Sequence, residues 1–381
     1  MKFLHLSDLH LGKRIHEAPL IEDQTYILNE ILKIADIEKP DGVLIAGDVY
    51  DKSVPSAEAV SLFDEFLVNL KKRGFQVFVI SGNHDSPDRL AFGSRIMDEE
   101  GIHLSPVYNG DVKPITLSDE HGKLNVYMLP FIKPMHVKRF FEDEQIVSYT
   151  DAVKVAISAM RVNTLERNIL LTHQFVTGAT VSGSEDELSI GGTDNVDASI
   201  FDCFDYVALG HIHGAQKCGR ETVRYSGTPL KYSFAEINHK KSVTVVEFGG
   251  KNTQVQIRTV ALTALRDMQE IKGTFGELTC PTFYEGKSFT DNYLRIVLTD
   301  EMDVPDAYAS LRLIYKNMLT LSYDNSRTRS NSAIGDAKGV EEKSAFELFA
   351  DLFIEQNNQP MFIEQSEYLK SVIESIEEGE L

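Results

Sequence analysis

Cysteine is scarce in the 381-residue sequence: Cys203, Cys218 and Cys280 are odd in number, and no two of them make a C-x-x-C pair. That count and spacing argue against both a disulfide framework and a thiolate-bound structural zinc. Long apolar runs are missing as well. No stretch reaches the roughly 18 apolar residues that a membrane-spanning helix needs, and the amino end enters a strand with no long apolar leader before it. These absences predict a soluble protein of a reducing cytoplasm, with no membrane partner. Positive charge is also in short supply. Lys and Arg number 38 against 58 Asp and Glu, for a net charge of −20. Residues 341–381 hold 11 of the acids and two lysines, a net −9. Because Lys and Arg contacts to phosphate supply most non-specific nucleic-acid affinity, such a chain binds a polyanion only with help from metal ions or a partner.

What is present is an ordinary globular composition, 42% hydrophobic and 25% charged, long enough for one large core and smaller units beside it. Apolar periodicity predicts alternating strands (2–7, 42–47, 75–81, 124–129, 168–172, 205–209) and helices (20–38, 56–73, 87–99, 149–166), with hairpin-like runs at 222–226 and 242–248. That is an α/β layered domain over residues 1–262. Strands at 267–273, 292–298 and 318–323 with a helix at 305–317 predict a smaller α+β unit over 263–325. A polar linker at 326–342 leads to two helices, 343–356 and 364–378. Phe346, Phe349 and Phe353 share a face of the first, which reads equally as a helix lying on its own domain or as a docking surface.

Five of the apolar runs end on side chains able to bind a cation. Asp8 and His10 follow the first, Asp48 the second and Asn83 with His84 the third, His173 lies just past the apolar part of the fourth, and His211 and His213 follow the fifth. In layered α/β proteins ligands collect at the carboxyl ends of strands, so these runs predict a single site. Two carboxylates, four imidazoles and an amide, without a thiolate, suit Mn²⁺, Fe²⁺ or Zn²⁺. Seven ligands are too many for one ion and right for two that share a bridge, for which Asp48 on the central run is the candidate. Two ions about 3.5–4 Å apart can grip a phosphate during in-line displacement. His84, beside a ligand but not needed as one, is the candidate to protonate the leaving oxygen, with Asp51 fixing its tautomer.

In order along the chain, D-x-H, GD-x-x-D, GNHD, a lone His and GH-x-H resemble the calcineurin-like metallophosphoesterase superfamily. The segments at 47–59, 82–94, 171–213 and 224–236 are similar to the SbcD family of bacterial nuclease subunits, closely over most of residues 1–260 and in layout beyond. The resemblance implies a layered β-sandwich flanked by helices, with a small α+β cap and carboxyl-terminal helices. It implies a DNA nuclease using two Mn²⁺ (Mg²⁺ or Fe²⁺ in their place), acting with an SbcC ATPase as an ATP-stimulated 3'-5' double-strand exonuclease and a single-strand and hairpin endonuclease. Carried over by motif, Asp8, His10, Asp48 and His213 would hold one ion, Asp48, Asn83, His173 and His211 the other, and His84 would be catalytic. Residues 343–378 would dock on the SbcC ATPase. The nuclease domain would dimerise through helices near 87–99 or 149–166, giving an SbcC2–SbcD2 heterotetramer at the nucleoid.

Other residues are open to two readings. Lys13 and Arg14, just past the first ligand pair, and Arg89 are candidate DNA contacts or members of surface ion pairs. The Ser226 turn lines a substrate cleft or is a plain β-turn. His5 alternates with Phe3 and reads as a core histidine, while His16, His103, His121, His136 and His239 read as surface. A phosphoesterase of nucleotides or phosphoproteins would share all seven ligands, and a purely structural metal site would not need His84.

Overall fold

The computed structural model describes residues 1–16, 18–182, 195–326, 328, 346, 348–350, 352–353 and 361–377. Its strands are β1 (Lys2–Leu6), β2 (Arg14–Ile15), β3 (Ala18–Pro19), β4 (Gly42–Ala46), β5 (Gln76–Ile80), β6 (Ile102–Leu104), β7 (Ile115–Asp119), β8 (Gly122–Leu129) and β9 (Arg167–His173). They continue as β10 (Tyr206–Gly210), β11 (Gln216–Cys218), β12 (Arg220–Tyr225), β13 (Ser242–Glu247), β14 (Gln256–Ala261), β15 (Met268–Gly273), β16 (Tyr293–Leu298) and β17 (Met318–Tyr323). The helices are α1 (Ile21–Glu38), α2 (Ala57–Lys72), α3 (Pro87–Leu90), α4 (Ser94–Glu99), α5 (Pro134–Lys138), α6 (Tyr149–Met160), α7 (Phe275–Leu278), α8 (Pro281–Tyr284), α9 (Ala307–Ile314) and α10 (Ile363–Glu377).

A strand such as GVLIA, apolar at every position, can only lie where both faces are covered. β4 is that strand, wholly buried between β1 and β5 and parallel to both. Two six-stranded sheets result, in the orders β14-β13-β1-β4-β5-β6 and β11-β12-β10-β9-β8-β7. Phe3, Leu44, Phe78 and Ile80 of the first pack against Leu124, Ile169, Leu171 and Tyr206 of the second. α1 and α2 cover the outer face of the first sheet and α6 that of the second. α2 begins where the Ser56 side chain accepts the Ala59 amide at 3.2 Å, and it buries Leu62, Phe63, Phe66, Leu67 and Leu70 at helical spacing. Each such side chain contributes about 1.5–3 kcal/mol relative to exposure. The layered α/β sandwich flanked by helices is thus the fold formed.

Several elements differ from expectation for local reasons. α6 stops at Met160, not near 166, because Arg161 turns left-handed at φ 49°. The helix expected at 87–99 is two short ones broken at Gly93, φ 75°. The runs at 222–226 and 242–248 fall in different sheets: β12 pairs with β10 and β11, β13 with β1 and β14.

The chain folds into two compact units, the first being Met1–Glu270, Ser288–Arg295 and Asn317–Thr320. The second holds Ile271–Lys287, Ile296–Lys316 and the described residues from Leu321 onward. Its helix α7 opens on a capping box between Thr274 and Glu277, and Tyr315, past α9, donates to Leu278 O at 2.7 Å. β15, β16 and β17 form a three-stranded sheet in that order. The expected linker at 326–342 and most of the helix expected at 343–356 lie outside the described residues; α10 falls on the one expected at 364–378. Among the described residues no helix is long and apolar enough to cross a membrane.

Candidate metal centre

The loops that follow β1, β4, β5 and β10 meet the end of β9 at one edge of the two sheets, and the backbones of the first two touch. Asp8 N donates to Gly47 O at 3.0 Å, His10 N to Asp48 O at 3.0 Å and Leu11 N to Val49 O at 2.9 Å. This approach bends non-glycine residues into the left-handed region, with φ of 52° at Asp8, 43° at His10, 49° at Asp48 and 110° at His211. Such conformations cost about 1–3 kcal/mol each and concentrate where a site requires them. Glycine lets two loops come closer still. A Cβ on Gly82 would lie 2.1 Å from Asp48 Oδ1, and one on Gly210 would lie 1.9 Å from Ala46 O.

The side chains form one cluster, buried except for the half-buried Asn83 and His84. Asp48 Oδ1 accepts the His84 amide at 3.0 Å, and its Oδ2 lies 3.4 Å from His173 Nε2, 3.7 Å from His10 Nε2 and 3.9 Å from His84 Nε2. Asp8 accepts the His211 amide at 3.0 and 3.2 Å. Asn83 Oδ1 sits 3.0 Å from His173 Nε2 and 3.1 Å from His211 Nδ1. Ligand atoms of Asp8, His10 and His213 lie within 4.8 Å of one another, as do those of Asp8, Asp48 and His173, and those of His10, Asp48 and His84.

Charge in this cluster is unbalanced in a way that a cation corrects. Burial opposes ionisation of both acids; it raises the Asp8 carboxyl, while His173, His10 and His84 hold that of Asp48 well below the usual range. Burial lowers His173, yet Asp48 and Asp8 more than reverse it and push it up to about 9. Burial also lowers His10, whose two ring nitrogens are buried with no hydrogen-bond partner. An unsatisfied buried polar atom costs about 1–3 kcal/mol, so an imidazole that lies 3.6–3.7 Å from carboxylates and hydrogen-bonds to none of them fits a site built for divalent metal.

A family model described as calcineurin-like phosphoesterase matches residues 1–215, and one described as the type 5 capsule protein repressor C-terminal domain matches 264–357. A relative from Staphylococcus epidermidis, named as the SbcD component of nuclease SbcCD, is 32% identical over 98% of this chain and 99% of its own. The chain belongs to the SbcD family of calcineurin-like phosphoesterases. A Staphylococcus saprophyticus protein of the same name is 33% identical over 84% of each chain. A solved dimetal phosphatase from Danio rerio overlaps 68% of this chain and 98% of its own, at 10% identity and a TM-score of 0.37. As a family member the chain is a metal-dependent phosphodiesterase using divalent ions.

Around the SbcD-type cluster, some expected contacts take other partners. His84 Nδ1 donates at 3.0 Å to the backbone carbonyl of Asp51, not to its carboxylate. That carboxylate accepts from Lys13 at 2.6 Å and lies 3.6 Å from His10 Nδ1. Lys13 is therefore ion-paired, and it lies 5.8 Å from the Tyr232 ring centroid. Ser226 is buried and bonds Ser7 Oγ at 2.8 Å, and it lines a surface pocket together with His213, Thr228 and Lys241. Arg14 and Arg89 are exposed. His5 is a core histidine between Tyr206 OH and Leu209 O, lowered to about 3 by burial. His103 is not on the surface: it stacks on Phe78 and bonds Gln76 and Asp98.

Three supporting residues escaped the sequence reading. Asp85 accepts the amides of Gly82, Val49 and Tyr50 at 2.9–3.1 Å, stapling two ligand loops. Gln24 on α1 donates to His10 O at 2.7 Å and accepts from Gly12 N at 2.9 Å. Glu236 meets His213. Gln24 was visible as a polar residue on an apolar helix stripe, between Leu20 and Leu28; Glu236 gave no such signal.

Proposed function

We propose that this SbcD-family chain is a DNA nuclease subunit that hydrolyses phosphodiester bonds with two Mn²⁺ ions. The observation that carries the reading is Asp48, a buried carboxylate within 4 Å of imidazoles from three separate segments of the chain, the surroundings a bridging ligand needs. Asp8, His10, Asp48 and His213 would hold one ion, and Asp48, Asn83, His173 and His211 the other. Bound there, the ions supply Lewis-acid polarisation of the phosphate and activation of water. The protein's own groups do the rest. His84, its Nδ1 proton held by Asp51 O, turns its other ring nitrogen toward Asp48 and is the group that would pass a proton to the leaving oxygen. Asp51 acts through Lys13 and His10 as well as through its carbonyl. Arg14, Arg89 and Lys13 meet the DNA backbone.

An SbcC-like ATPase docks on residues 343–378 and confers the ATP-stimulated exonuclease and hairpin endonuclease activities in the cytoplasm. Leu348, Phe349 and Leu352 are exposed there, as docking requires. Two nuclease domains pair within an SbcC2–SbcD2 assembly, and the exposed Phe92 and Ile96 favour the 87–99 stretch over 149–166 as the contact.

The test is a substrate panel with Mn²⁺, ATP and the SbcC-like partner: labelled linear duplex, labelled hairpin, nucleotides and phosphopeptides. The DNA substrates are cleaved if the proposal holds. Hydrolysis of nucleotides or phosphopeptides with the DNA left intact would replace it with a phosphoesterase of another class.

A further inference from the structure

His213 is clamped from behind by a buried charge network. Its Nδ1 lies 3.0 Å from Oε1 of Glu236, a fully buried carboxylate. Glu236 ends a single 3-10 turn, Phe234–Glu236, which Ser233 caps by accepting the Ala235 amide. Its other oxygen accepts from Lys241 Nζ at 2.5 Å. Lys241 also donates to Thr228 Oγ1 at 2.6 Å and to His213 O at 3.0 Å, and Thr228 N donates to His213 O at 3.2 Å. The turn before Thr228 presses against the same loop: a Cβ on Gly227, φ 73°, would meet His213 O at 2.7 Å. Ring and carbonyl of one imidazole are thus fixed by a single carboxylate–ammonium pair. Burying a carboxylate costs desolvation that its ammonium partner offsets, so the Glu236–Lys241 pair keeps a charged group behind His213.

A carboxylate on Nδ1 keeps the proton there, leaves the Nε2 lone pair facing Asp8 and His10, and makes the imidazole a stronger donor to a metal. His173 and His84 send Nδ1 to neutral acceptors instead, Ala46 O at 2.9 Å and Asp51 O at 3.0 Å. We propose that Glu236 is a positioning residue that makes the ion held by Asp8, His10 and His213 the tighter of the two. The inference rests on the reading of His213 as a ligand given above.

The test is a Mn²⁺ titration followed by electron paramagnetic resonance on the full chain, comparing wild type, Glu236→Gln and the double variant Glu236→Gln/Lys241→Met. The double variant removes both buried charges together, so the comparison survives if the single variant folds poorly. His173→Ala marks which step belongs to the other ion. The expected result is two ions in wild type and one of them bound about 10–100-fold more weakly in both Glu236 variants. The step lost in His173→Ala stays unchanged. Two ions bound as in wild type, or both weakened together, would overturn the role of Glu236 alone. A wild type that binds fewer than two ions would overturn the ligand reading itself, and the role of Glu236 with it.

Discussion

Asp85 never faces a ligand pocket, yet the two loops that carry Asp48, Asn83 and His84 are tied through its carboxylate. Burial, with Asp48 nearby, raises that carboxyl to about 6 while three amides point at it. Removing it leaves buried N–H groups unsatisfied at about 1–3 kcal/mol each. Asp85→Ala should therefore lower stability by about 3 kcal/mol in urea unfolding without metal, and a loss within error of zero would contradict the staple. At this scale legibility followed chemistry. Asp8, His10, Asp48 and the later histidines announce themselves as cation-binding types at the ends of apolar runs. The work of Asp51, by contrast, depends on which of its oxygens faces His84, and that of Glu236 on a partner 23 residues away; neither is written in local pattern.

Among the elements, long periodic stretches were read well because their hydrophobic period is a property of the segment itself. α1, α2, β4 and β5 stand within a residue or two of expectation. Pairing is different: period-2 alternation fixes which face of a strand is buried but not which neighbour it joins, so β12 and β13 were readable as strands and not as members of separate sheets. The carboxyl-terminal stretch carries its own prediction. Removal of residues 341–381 should spare Mn²⁺ binding, since every candidate ligand lies before residue 214, while abolishing co-purification with the SbcC-like ATPase. Retained co-purification would move the docking surface elsewhere.

For the whole molecule the governing facts are a net charge of −20 and a cluster of candidate ligands, most of them buried, at one sheet edge. A chain this acidic does not hold DNA by its general field, so cleavage has to depend on the metal ions, on a few exposed cations and on a partner. In the proposed mechanism His84 is the proton donor, because its ring reaches the cluster while its Nδ1 is committed to Asp51 O. The most direct measurement is Mn²⁺-dependent cleavage of a labelled DNA hairpin by wild type and His84→Ala, with bound manganese counted in both. The account predicts equal manganese in the two and cleavage about 10²–10⁴-fold slower in the variant. Undiminished cleavage, or manganese lost together with activity, would contradict it.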